Sequence, residues 1–214
     1  MSSVLSSALV SFSAVFFVVD PIGVVPIFIA ITGGDSPQKT RDTARRAVLV
    51  ASGLLVFFAL FGTLLFKVIG VNLSAFRVAG GIVLLITALD MLRARQSETR
   101  TSPEEAQEAT GKEDVAIVPL AIPLLAGPGA IATVMVLNSR GGGLVDTVAV
   151  VVSVLVTMVA TYFLLRGAPL VQRVLGQSGV AVLQRVMGLL LAAIAVQFVA
   201  EGGRDLVGLP PPAG

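Results

Sequence analysis

The chain has 214 residues, 55% of them hydrophobic and 13% charged, and a mean hydropathy of +0.94. That composition places it in lipid rather than in water. Cysteine and histidine are both absent, which removes disulfides, thiol relays, haem ligation and the usual zinc sites together, so neither a metal nor a cofactor is expected. The formal net charge is only +2, and the basic residues are scattered through loops, so nucleic-acid binding has no support.

Six apolar stretches reach the roughly 17–25 residues that a spanning helix needs: Val4–Thr32, Ala47–Phe66, Leu73–Leu92, Val115–Asn138, Leu144–Leu165 and Val180–Ala200. The expected fold is an all-α polytopic membrane protein with six transmembrane helices. The N-terminus lacks the basic region of a cleavable signal, and its first apolar stretch is too long for one, so it is read as a span. As one straight helix, the 29 residues Val4–Thr32 would run about 43 Å against a hydrocarbon core of about 30 Å. The run Asp20-Pro21-Ile22-Gly23 interrupts this span, and Ala126-Gly127-Pro128-Gly129-Ala130 interrupts the fourth. Helix breakers at membrane depth survive only where protein or a water-filled cavity satisfies the freed backbone groups, so the two breaks mark the expected working site.

The stretch Arg93–Asp114 carries ten of the 28 charged side chains and reads as a polar loop dividing the chain into residues 1–92 and 115–214. Ten basic residues follow spans one, three and five: Lys39, Arg41, Arg45, Arg46, Arg93, Arg95, Arg100, Lys112, Arg166 and Arg173. The other face holds Lys67, Arg140 and Arg204. Basic loops stay in the cytoplasm, so both termini are expected outside it.

A faint internal repeat supports this division. Pro21 and Pro128 are 107 residues apart, and Arg77-Val78-Ala79-Gly80 precedes Arg185-Val186-Met187-Gly188 by 108. Three spans per half is an odd number, so a second copy would enter from the opposite face, giving two inverted three-helix repeats.

Proline at a first helical position with aspartate before it is a helix-start pattern, so a half-helix should begin at Pro21 and another at Pro128. Their positive dipole ends would converge from opposite faces on a carboxylate, while Asp20 and the carbonyls at Val19 and Ala126 would take an ammonium group. Gly23, Gly127 and Gly129 leave room for a small solute. The expected substrate-binding residues are therefore Asp20, Pro21, Ile22, Gly23, Ala126, Gly127, Pro128 and Gly129. For Asp20, a cap on its own half-helix is favoured over proton carriage, and the two can coexist. Arg77 and Arg185, inside spans three and six, are coupling or gating candidates beside Asp20; each would either snorkel to an interface or pair with Asp20. Asp90 and Glu201 read as interfacial. Thr157, Thr161, Tyr162 and Gln197 are expected to line a path or bond between helices, and the glycines at 53, 62, 80, 81 and 188 to be packing notches.

The blocks Asp20–Thr32 (DPIGVVPIFIAIT), Phe76–Leu92 (FRVAGGIVLLITALDML), Pro119–Ile131 (PLAIPLLAGPGAI) and Arg185–Val199 (RVMGLLLAAIAVQFV) resemble the MarC family of bacterial inner-membrane proteins. The resemblance spans nearly the whole chain, and its two Pro/Gly blocks are specific in combination. It implies two inverted three-helix repeats of the lysine-exporter type, and for some members carriage of small neutral amino acids such as glycine and alanine. The family's Asp-Pro-Ile-Gly motif falls on Asp20 to Gly23 and its Ala-Gly-Pro-Gly-Ala-Ile motif on Ala126 to Ile131.

The expected function is a secondary transporter of a small neutral amino acid in the bacterial inner membrane, with one repeat rocking against the other and H+ or Na+ as possible coupling ion. A narrow channel for small solutes or ions, or a non-transporting regulatory protein, stands as the alternative. An enzyme is not expected, because the chain offers no His, no Cys and no Ser–Lys pair at a common depth. The sequence leaves the solute, the direction of flow and the oligomeric state open.

Overall fold

The structure is a computed structural model that describes residues 2–93, 116–141 and 143–209. The polar loop expected over 93–114 lies, apart from Arg93, outside the described residues, as does Val115 at the start of the second half. Within them the chain is helical, with no strand. The elements are α1 (Ser2–Val19), α2 (Pro21–Thr32), α3 (Pro37–Ile69), α4 (Leu73–Leu92), α5 (Ala116–Leu125), α6 (Pro128–Gly141), α7 (Leu144–Arg166) and α8 (Ala168–Leu206).

Five of the resulting helices are long and apolar enough to cross a membrane: Ser7–Thr32, α3, α4, α7 and Ser178–Leu206. The pair Ala116–Leu125 and Pro128–Ser139, bent by 53°, supplies the sixth. Large apolar side chains such as Leu64, Val159 and Leu189 point outward. Against lipid this exposure carries no penalty, because the hydrocarbon is as apolar as the side chain.

Capping chemistry sets the helix ends. Ser36 accepts from the Lys39 N–H ahead of Pro37, and Asn72 accepts from the Ser74 N–H at 2.8 Å to start α4. α3 begins ten residues before the expected span, because Gln38, Lys39, Arg41, Ala44, Arg45 and Arg46 are good helix formers in water as well as in lipid. α8 is interrupted at Gly176, where φ is 62° and ψ is 178°.

Consecutive helices are not the main packing partners. α4 packs most extensively on α8, α3 on α7 and α5, and α1 on α7. The contacts fall into corresponding sets: α1 on α7 beside α5 on α3, and α2 on α8 beside α6 on α4. A polar tie joins α6 to α3, from Asn138 Nδ2 to the Ala59 carbonyl at 2.7 Å. Thr147 Oγ1 of α7 donates to Asn138 Oδ1 at 2.6 Å and fixes the amide's orientation.

Candidate functional site

The first break consumes one residue. Asp20 sits in the left-handed region with φ 52° and ψ 62°, which aspartate tolerates better than most residues. Its N–H closes α1 on the Phe16 carbonyl at 3.0 Å, and its own carbonyl takes the Val24 N–H at 3.3 Å. Its Oδ1 accepts from the Gly23 N–H at 3.1 Å, while Pro21, at the first helical position, brings no N–H. Asp20 is 1% exposed, so the cap is made out of contact with solvent. Gly23 is required for it: a methyl there would overlap the Asp20 carboxylate.

The second break is built differently. α5 is wound in wide turns and has extended backbone at Val118 (φ −125°, ψ 119°) and Ile122 (φ −131°, ψ 120°). Both residues precede a proline, Pro119 and Pro123, and proline's Cδ disfavours the helical region for the residue before it. The regular helix expected from Val115 to the break is therefore corrected to a segment unwound twice. The Ala126 N–H reaches the Ala121 carbonyl at 2.9 Å, and α6 then starts at Pro128 behind Gly127. Glycine has no side chain to cap with, so the first-turn N–H groups of Gly129 and Ala130 lack the carboxylate that serves α2.

A cavity of about 20 Å³ lies at the second break and reaches the end of α1 ahead of the first. Val18 of α1 lines it from one side, while Asp20, Pro21, Ile22 and Gly23 are not among its walls; Gly127, Pro128, Gly129 and Ala130 line it from the second break, with Pro123 and Leu124 of α5. α4 closes the remaining side with Val83, Leu84 and Thr87. Leu84 packs so closely on Gly129 that a methyl at 129 would overlap it. Of the expected binding residues, Gly127, Pro128 and Gly129 line this cavity; Asp20, Pro21, Gly23 and Ala126 are buried nearby in sequence, and Ile22 is half-buried. The volume admits about one water molecule.

A larger cavity of about 320 Å³ opens where α2 and α7 end and α3 and α8 begin. Phe28 and Thr32, both buried, face it together with Asp35, Thr40, Arg41 and Arg166. Asp35 is engaged by Lys39 at 2.7 Å. Sequence reasoning did not single out this vestibule, because its walls come from four helix ends far apart in the chain.

Arg77 is 8% exposed and pairs with Asp205 Oδ2 at 3.0 Å and Glu201 Oε2 at 3.5 Å, both on α8. Of the two expected alternatives, snorkelling and pairing with Asp20, the pairing gives way to a clasp between α4 and the end of α8, in which Glu201 is one of the two acids. The Arg77 Nε is buried without a hydrogen-bond partner. Arg185 is exposed, and no carboxylate among the described residues forms an ion pair with it. Gln197 donates along its own helix to Glu201 Oε1 at 2.8 Å, and Thr161 donates to the Thr157 carbonyl at 2.8 Å. The Thr157 hydroxyl is buried without a partner. Four of the five expected glycine notches are occupied by neighbours, but Gly53 faces open space.

Residues 5–207 match the family model described as MarC family integral membrane protein. The chain is 40% identical over 197 residues to UPF0056 membrane protein MJ1677 of Methanocaldococcus jannaschii, covering 92% of this chain and 95% of that one. It is 35% identical over 192 residues to UPF0056 membrane protein YvbG of Bacillus subtilis (89% and 91% covered) and 32% identical over 191 residues to UPF0056 membrane protein YhcE of Escherichia coli (89% of each). No solved structure matches. The chain belongs to the MarC family of integral membrane proteins.

Proposed function

We propose that the protein is a secondary carrier of a small neutral amino acid, of glycine or alanine size, working by alternating access in the bacterial plasma membrane. The observation that carries this reading is the cavity at the second break, which the end of α1 also lines. There the first turn of α6 offers uncapped N–H groups suited to a carboxylate, and the glycines at 127 and 129 keep the walls thin. At about 20 Å³ the cavity offers only water-sized space, so an amino acid fits only when the walls part. The corresponding sets of helix contacts support two inverted repeats, residues 1–92 and 115–214. With the basic loops in the cytoplasm and both termini outside, the vestibule beside Arg41 and Arg166 is the cytoplasmic entrance. H+ or Na+ is the proposed coupling ion, and Asp20 the carboxylate nearest in sequence to the break.

Purified protein in proteoliposomes should take up labelled glycine or alanine saturably and show counterflow when loaded with the unlabelled solute. Flux without saturation or counterflow would replace the carrier with a narrow channel. Absence of flux, with a fixed partner co-purifying, would replace it with a regulatory protein.

A further inference from the structure

We infer that α4 and the Ser178–Leu206 part of α8 form one rigid panel, clasped by Arg77 and hinged at Gly70 and Gly176, whose swing against the rest of the bundle opens the cavity. The inference rests on the carrier reading for its purpose, but its geometry stands independently. It replaces motion of one repeat against the other, since α4 and α8 lie in different halves of the chain.

The panel is tight along its whole length. A methyl at Gly202 would lie 2.8 Å from the Ser74 carbonyl oxygen, one at Gly81 would lie 2.9 Å from the Ala195 carbonyl oxygen, and one at Gly188 would lie 3.1 Å from the Ala88 carbonyl oxygen. As the position on α4 rises from 74 to 88, its partner on α8 falls from 202 to 188, so the two helices run antiparallel in close backbone contact throughout. Such contact maximises dispersion where no hydrophobic effect operates between helices. At one end the Arg77 clasp adds charge-assisted bonds at 3.0 and 3.5 Å. Sliding one of these helices past the other would strand a buried guanidinium and drive backbone into backbone.

The seam between panel and bundle is of a different kind. α4 meets α6 through Leu84 on Gly129 and Gly80 on Ala132, close contacts made by apolar side chains rather than by backbone carbonyls, so they part without breaking a polar bond. The cavity lies on this seam, with Val83, Leu84 and Thr87 on the panel side and Gly127 to Ala130 facing them. Beyond the edge-to-face contact of Phe66 and Phe76 beside the turn, at 4.5 Å between ring centroids, α4 has no substantial packing on α3; α8 touches α7 only slightly and meets the bundle chiefly on α2, with a smaller contact on α1.

What joins each panel helix to its predecessor is a glycine in a conformation other residues avoid. Gly70, before α4, has φ 78° and ψ 17°; Gly176, before Ser178, has φ 62° and ψ 178°. The second lies in a region occupied essentially by glycine alone. Neither has a neighbouring atom within 4 Å of where a Cβ would sit, so packing does not require glycine at either position; conformation does. A pair of such joints, one at the start of each panel helix, is the arrangement that lets two clasped helices pivot together.

The absence of cysteine makes spin labelling direct. Cysteines at Ile82 and Val196, both on exposed faces of the panel, report distances within it; cysteines at Ile82 and Val156 report panel to bundle. Nitroxide distance distributions are measured in nanodiscs, with and without saturating glycine or alanine. The expected result is one narrow population for Ile82–Val196 and two populations for Ile82–Val156. Adding Gly70→Ala and Gly176→Ala should collapse the second pair to one population while leaving the first unchanged, which certifies the fold. Splitting of the Ile82–Val196 distance, a single population for both pairs without the alanines, or indifference to the alanine changes would each overturn the inference. None of these outcomes depends on flux, so loss of the carrier reading would be scored separately in the unlabelled protein.

Discussion

Replacing Asp20 tests how the first break is held, because three substitutions separate its two contributions. Asparagine keeps an acceptor oxygen for the Gly23 N–H, 3.1 Å away in the wild type, and shares aspartate's tolerance of φ 52°. Asp20→Asn should therefore leave stability within about 0.5 kcal/mol of wild type. Asp20→Gly fits the left-handed backbone but removes the cap, which is worth about 1 kcal/mol and, with a buried donor stranded, about 1–3 kcal/mol. Asp20→Ala loses the same cap and adds the left-handed penalty of a Cβ residue, about 1–2 kcal/mol, for a total of about 2–5 kcal/mol. The assay is reversible unfolding in mixed detergent micelles, followed by circular dichroism. The expected order of stability is Asn, then Gly, then Ala. Alanine equal to asparagine, or glycine above asparagine, would refute the argument that the carboxylate acts as a cap in a left-handed turn.

The same Asp20→Asn protein probes coupling: if the carboxylate carries a proton, the pH dependence of uptake in proteoliposomes flattens; an unchanged profile excludes it. Gly129→Ala should cost about 1–3 kcal/mol by displacing Leu84, and Leu84→Ala in the same chain should recover part of that loss in the unfolding assay. Around Arg77, Glu201→Gln or Asp205→Asn alone should cost at most about 1 kcal/mol, since both acids are partly exposed and either can serve. The double change leaves the buried guanidinium without either acid and should cost on the order of 3 kcal/mol; a double-mutant cycle showing additivity would sink this account. Single cysteines at Gln38 and Arg173 should react with impermeant maleimide only from the cytoplasmic side, and labelling from outside would invert the proposed orientation.

The two interruptions were legible because Asp, Pro and Gly act locally: each restricts its own or a neighbouring dihedral whatever the fold. The same local preference at Pro119 and Pro123 points to Val118 and Ile122 leaving the helix, but Val25 stays helical before Pro26 inside α2, so the sequence alone does not separate the two cases. Arg77 was recognisable as costly but not as paired, because Glu201 and Asp205 are more than 120 residues downstream and only the antiparallel approach of α8 brings them to 3.5 and 3.0 Å. Glycines were the least legible residues. Gly81 and Gly188 admit a neighbouring helix, Gly53 faces open space, and Gly70 and Gly176 set a backbone angle, yet sequence writes all five with the same letter.

That α3 finds its main partners in α7 and α5, and α4 in α8, has a consequence during synthesis. The first half leaves the translocon with its eventual contact faces covered only by lipid, and it must wait for the remainder of the chain to be translated before those faces are matched. Assembly is therefore a late docking of two inserted halves rather than stepwise growth of a bundle. A ribosome stalled after the third span would leave a segment that membrane proteases recognise as unfinished.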